Sequence, residues 1–228
     1  MHWLAEMVLD YRKRVQGIEF FNYVKNATEK EQFAWVRHLL HQSYEFPLLL
    51  SLRYSLCKDP EFRKYFAIHA DEEYGHCDML TTWMVRHGLL GENEDINDVP
   101  PTVETVAALG YHYRTVLQED DMGQLVGLNA VSEGVAADFF ASIQPVVTKL
   151  GMGDEYWDLH ALVDVEHAGE CLEMFPENIT PDSKEGKKLA QIVHDTCVLY
   201  AYMLNSWIGV RATIDTSDHA ANKEFVVA

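Results

Sequence analysis

The sequence predicts an all-α protein, a single domain of seven helices. Three observations carry that prediction. Apolar residues recur at helical spacing through long segments, each segment opens and closes on residues that cap helices, and no stretch shows the alternation of a half-buried strand. The N-terminal segment supplies the first helix. From Thr28, TEKEQFAWVRHLLHQSYEFPLLLSLRYSLC opens with a capping box, Thr28 to Glu31, and continues as a long helix. Pro47 lacks the amide hydrogen owed to the carbonyl four residues back, so a bend is expected beside Glu45. A helix from Pro60 carries HADEEYGH at 69–76 and stops at His87-Gly88. The acidic, proline-terminated stretch GENEDINDVPP is a loop. Further helices follow from Pro101 to about Leu117, from Met122 to Leu150, from Asp154 to Phe175 and from Pro181 to about Ile214. The short breaks between them are turns and not linkers, so one domain spans 1–228, with its core at 28–214. The tail DTSDHAANKEFVVA, 215–228, is expected to fray.

Composition narrows the function. Of the 228 residues, 48% are hydrophobic, enough to bury a sizeable core. Thirty-six acidic residues against 18 basic ones give a formal charge of -18, which argues against nucleic acid and anionic membrane surfaces as partners. Carboxylates that bind cations count as bare charges in that sum, so cation binding fits its sign. The cysteines, Cys57, Cys77, Cys171 and Cys197, are widely spaced and match neither a disulfide framework nor a paired-Cys metal motif, which points to a reducing cytoplasm. No apolar run has the length of a signal peptide or a membrane span. The expected partners are a small-molecule substrate and, in a homodimer, a second copy of the chain.

The chemistry lies in a doubled motif. HADEEYGH at 69–76 and HALVDVEH at 160–167 share a histidine, a carboxylate four residues on and a second histidine three residues later. At about 100° per residue, positions four and seven apart fall on one stripe. His69, Glu73 and His76 therefore share one helix face, and His160, Asp164 and His167 share another. Stripes of this kind facing each other across a bundle converge imidazoles and carboxylates on one point, and helix-bundle metal sites add acids from neighbouring helices. Glu45, in HQSYEFPLLL, and Glu133, in LVGLNAVSEGVAADFF, are such acids, each in an otherwise apolar segment where a lone carboxylate needs a partner. Glu45, Glu73, His76, Glu133, His160, Asp164 and His167 supply nitrogen and oxygen ligands without thiolate, a set that suits iron or manganese. Each residue alone reads as an ordinary buried or surface polar group; the combination carries the signal. Asp71, Glu72 and Glu166 flank the stripes. His38 and His41 read as helix-face residues, and the four cysteines and the aromatic residues Tyr111, Phe139, Phe140 and Trp207 as core.

DEEYGHCDML, a helix break at His87-Gly88, an isolated helical Glu and then HALVDVEH resemble the heme-oxygenase-like di-iron oxidases over residues 28–214, most specifically at His160, Asp164 and His167. The resemblance implies a seven-helix heme-oxygenase-like bundle holding two Fe(II) ions that activate O2 to oxidise a small amino-acid-like or fatty-acid-like molecule. It implies Glu45, His76 and a carboxylate of the second helix at one iron. The later histidines and Asp164 would hold the other, with Glu133 bridging or nearby. Some members place that second-helix carboxylate seven residues before the histidine, where this chain has His69. Glu73, three before it, substitutes, or His69 itself binds, or the first site is altered. The competing readings within the same fold are a TenA-like thiaminase-II hydrolase of aminopyrimidines, which needs a cysteine nucleophile, and a metal-free small-molecule binder.

Overall fold

The computed structural model describes residues 2–210. The side chains of 162–168, 170 and 173, within one helix, lie outside the described residues, as do Met1 and 211–228, including the tail expected to fray.

The described residues form helices and turns. Helix α1 (Trp3–Val15) and short α2 (Glu19–Lys25) lead through a single 3-10 turn (Lys30–Phe33) into α3 (Val36–Leu56). The capping box forms one residue later than its sequence predicts. Glu29 is the N-cap, and Gln32 accepts from the Thr28 and Glu29 amides at 2.7 and 3.0 Å. Asp59 then caps α4 (Pro60–Glu72), accepting from the Glu61 and Phe62 amides with Pro60 in the first turn. The expected single helix from Pro60 to His87 is two: α4 ends at Glu72, and α5 (His76–Arg86) begins after Gly75, whose φ of 93° a side chain would strain. That break accounts for a count of eight helices of eleven residues or more among the described residues, one more than the seven expected.

Thr102 caps α6 (Val103–Gln118) directly behind Pro100 and Pro101. The next segment starts as α7 (Asp121–Gln124), passes into a fully buried π-helical stretch (Leu125–Glu133) and continues as α8 (Gly134–Lys149). A π-helix adds a residue to each turn and is frequent at functional sites. The stretch is seated where Ile192 and Thr115 come within 3.2 Å of where a Cβ on Gly127 would stand, an approach that glycine permits. Helix α9 (Glu155–Glu173), capped by Asp154, and α10 (Lys184–Trp207), capped by Ser183, complete the bundle.

One apolar cluster runs from Leu4, Val8 and Tyr11 through Phe20, Phe33 and Trp83 to Trp157 and Trp207. The core thus begins well before residue 28. Arg12 and Asp138 join α1 to α8 by two hydrogen bonds of 2.9 Å, and the Phe20 amide donates to buried Asn205 at 2.8 Å. No helix among the described residues is long and apolar enough to cross a membrane.

Candidate metal centre

Four segments bring five polar side chains to one point inside this bundle. Helix α4 supplies His69, and its C-terminal cap is Glu73; α5 supplies His76, the π-helical stretch Glu133 and α9 His160. All five residues are buried. They form two overlapping trios, Glu73 with His76 and His160, and Glu73 with His69 and Glu133. In each trio the ligand atoms lie within 4.8 Å of one another. Glu73 belongs to both. The helix break at Gly75 leaves the predicted stripe intact, because Glu73 sits on its near side and still reaches His76 across it.

Each histidine is oriented by its second contact. The His160 Nδ1 donates to the Tyr156 carbonyl one turn back, at 2.7 Å, so the neutral ring carries its lone pair on Nε2. Its ring is confined by Phe140, stacked at 4.4 Å, by Tyr156 at 4.3 Å and by His76 at 4.4 Å between centroids. The His76 Nδ1 donates to Glu73 Oε2 at 3.0 Å. Burial disfavours the His76 cation, but the hydrogen bond and charge of Glu73, with Glu133 farther off, outweigh it and hold its pKa above the usual histidine value. His69 Nε2 donates to Glu133 Oε1 at 2.7 Å. Behind it stands Arg53 of α3, completely buried, over the Phe66 ring at 3.8 Å and within 2.9 Å of His69 Nδ1. Burial lowers the Arg53 pKa to about 9, an effect partly offset by Tyr65 and Glu133.

A cavity of about 60 Å3, room for roughly four waters, opens onto Glu73, His76, Glu133 and His160. Its other walls are apolar, among them Leu39, Phe46 and Ala136, and polar at Gln42, Ser132 and Tyr200. Gln42 donates to the Tyr200 hydroxyl at 3.0 Å, and burial keeps that phenol protonated. Ser132 stands 3.2 Å from His112, which burial holds neutral, with a pKa lowered to about 4. Pro47 has no N–H for the Ser43 carbonyl, and Ser43 also lines the cavity.

The structure brings together Glu73, His76, Glu133, His160 and His69. It places Glu45 elsewhere. On α3 the stripe Leu39, Gln42, Ser43 and Phe46 faces the cavity, and Glu45 is turned about 100° from Phe46 toward α6, where the Tyr113 hydroxyl donates to it. It lines a separate open cavity with His41 and Tyr44. His41 donates to the Val99 carbonyl at 2.5 Å, the structural role expected of it. Asp164 and His167 stand on α9, one and two turns beyond His160, with side chains outside the described residues. The sequence reading missed Arg53 and Asn129. The signals were there: Arg53 is the lone cation in FPLLLSLRYSL, four residues after core Leu49, and Asn129 precedes Glu133 by four.

Buried mixed imidazole and carboxylate groups, converging without thiolate, fit an iron or manganese ion. The donor chemistry and the geometry therefore agree with a metal centre.

Comparisons with known proteins point the same way. No curated protein matches the chain. A TenA homolog from Pseudomonas syringae pv. tomato superposes with a TM-score of 0.76 at 15% identity, over 91% of this chain and 92% of that one. A domain of unknown function with a heme oxygenase-like fold, from Shewanella denitrificans, superposes at 0.63 and 18% identity, over 89% of each chain. At such identities the likeness shows the fold, which is heme oxygenase-like. Residues 33–200 match the profile of a family described as iron-containing redox enzyme. That match covers most of the chain, which therefore belongs to the family of iron-containing redox enzymes.

Proposed function

We propose that the chain is a non-heme di-iron oxidase that uses O2 to oxidise a small organic molecule, amino-acid-like or fatty-acid-like. The observation that carries this reading is buried Glu73, grouped with His76 and His160 on one side and with Glu133 on the other. Glu73, His76 and His160 would hold one Fe(II). Glu73 and Glu133 would contribute to the other, with Asp164 and His167 of α9 as the remaining expected ligands. Iron bound there supplies one-electron redox steps and a site at which O2 is reduced.

The protein's own part is positioning and exclusion. The Tyr156 carbonyl and the Phe140 and Tyr156 rings fix His160 in one orientation. A neutral Tyr200, held by Gln42, offers a hydrogen bond to a polar group of the substrate while keeping its own proton. Leu39, Phe46, Ala136 and Phe140 pack against the substrate's apolar part and keep water out. Among the described lining residues there is neither Lys nor Arg, so a substrate carboxylate would rely on the metal charge and on Gln42, Ser132 and Tyr200. A cytoplasmic homodimer completes the proposal.

The TenA-like hydrolase reading shares the fold but lacks its nucleophile here. None of the four cysteines is among the described residues lining the cavity, and burial raises the pKa of Cys57, Cys77 and Cys197. The test is an anaerobic Fe(II) titration with elemental analysis, followed by O2 uptake. Two irons per chain, with O2 consumed in proportion, are expected. A chain that binds no iron and consumes no O2 would contradict the proposal.

A further inference from the structure

We propose that His69 is a positioning residue for Glu133 and not a metal ligand, because buried Arg53 and Asn129 fix the proton on its Nε2 and aim it at the carboxylate. The proposal rests on the iron reading only in taking Glu133 as a ligand, and deepens it by naming what positions that carboxylate. The placement of the proton stands without it.

The argument starts from an inventory of donors. A guanidinium has donors alone. Arg53 Nη2 lies 2.9 Å from His69 Nδ1, so that nitrogen must accept. Arg53 Nη1 lies 2.5 Å from the Asn129 side chain, which therefore presents Oδ1 to it and turns its amide nitrogen to the other side, 2.9 Å from the same His69 Nδ1. Two donors converge on one ring nitrogen. Exchanging the Asn129 oxygen and nitrogen would set two donors against each other at Arg53, so the arrangement has a single consistent assignment. Nδ1 bears the lone pair, Nε2 bears the hydrogen, and that hydrogen meets Glu133 Oε1 at 2.7 Å.

A ligand role would invert this. Metal coordination through Nε2 needs its lone pair, and a neutral ring would then carry its proton on Nδ1, against both donors. His160 shows the opposite preparation, with its Nδ1 proton given to a carbonyl and its lone pair on Nε2. The two imidazoles thus have opposite tautomers by construction. His69 is one stripe position among candidate ligands by sequence, but Arg53 makes it a hydrogen-bond donor. Glu133 Oε1 is thereby met by a directed donor, with the buried Arg53 guanidinium behind His69.

The test is nitrogen NMR on protein labelled with 15N-histidine, metal-free and then with Zn(II) as a diamagnetic probe. In the metal-free protein His69 is expected to show a protonated Nε2 and an unprotonated Nδ1, unchanged by zinc, while the His160 Nε2 signal moves. A proton on His69 Nδ1, or a zinc-dependent shift of its Nε2, would overturn the proposal. Unmoved signals for both histidines, with the metal-free tautomer as stated, would contradict the metal reading and leave the positioning of Glu133 standing. Substitution separates the roles again. His69→Gln, whose amide can still donate to Glu133, should keep the iron count with at most a few-fold weaker binding. His69→Ala should keep the count but bind roughly 10–100-fold more weakly, the cost typical of losing an orienting partner. Loss of one iron in both variants, each folded by thermal denaturation, would show that His69 is a ligand.

Discussion

The His69 side of the cluster is held by side chains, and the His160 side by backbone and aromatic rings. On the first side Arg53 and Asn129 reach in from α3 and the π-helical stretch and set a proton. On the second a carbonyl one turn back sets the opposite tautomer, and Phe140 and Tyr156 hold the ring. Glu73 lies between them and belongs to both trios. The difference shows how two similar helical stripes come to do different work. A metal ligand needs a local hydrogen bond, which its own helix can provide, and steric confinement, here from Tyr156 of the same helix and Phe140 of α8. A donor to a carboxylate beside a buried cation needs residues brought from elsewhere in the chain.

The largest effect should come from the residue common to both sides. Glu73→Gln keeps the shape and removes the charge, and iron affinity should fall by more than about 100-fold, beyond the loss typical of an outer-shell change. An elemental analysis after dialysis against Fe(II) checks this, and near-normal iron content would show that Glu73 is not shared. Next is Arg53→Met, which removes the cation and leaves Glu133 and the acceptors at His69 and Asn129 without it. Chemical denaturation should register a stability loss of about 3 kcal/mol, because two buried acceptors lose their charged donor. A change within 0.5 kcal/mol, roughly the scatter of surface substitutions, would show that the clamp is not structural.

Another buried imidazole, outside the cluster, sharpens the comparison through pH. His112 is held neutral by burial, with a folded pKa of about 4 against an ordinary value of 6.5. The unfolded chain therefore binds the extra proton first as pH falls. The stability due to neutral His112 is complete above 6.5 and is lost between 6.5 and about 4, on the order of 3 kcal/mol at about 1.4 kcal/mol for each unit of pH. Urea denaturation at a series of pH values should show His112→Phe losing that part of the slope, whereas His112 on the surface would leave the slope unchanged. The smallest effect is expected at the thiols. Cys57→Ala and Cys77→Ala should change iron content and O2 uptake less than about two-fold, since neither lines the cavity. Loss of turnover with normal iron binding would favour the hydrolase.

The all-α class and the convergence of His69, Glu73, His76, Glu133 and His160 were legible because helical spacing is a local property, and because Glu133 is an isolated acid in an apolar segment. Glu45 shows the limit of the same reasoning. An isolated acid in an apolar helix implies a partner, but a turn of 100° decides which one, and here it is Tyr113 of α6. The break at Gly75 was hidden inside what reads as one continuous pattern. The π-helical stretch has no sequence period of its own, and it is what carries Asn129 and Glu133 to His69. Arg53 was passed over because a cation in an apolar helix gives no hint of the residue it serves.

Anomalous diffraction at the iron edge from crystals grown with Fe(II) tests the central claim most directly. The account predicts iron density within coordination distance of Glu73, His76 and His160, with His69 Nε2 still directed at Glu133. Density bound to His69 Nε2, or iron seated away from Glu73, would contradict it.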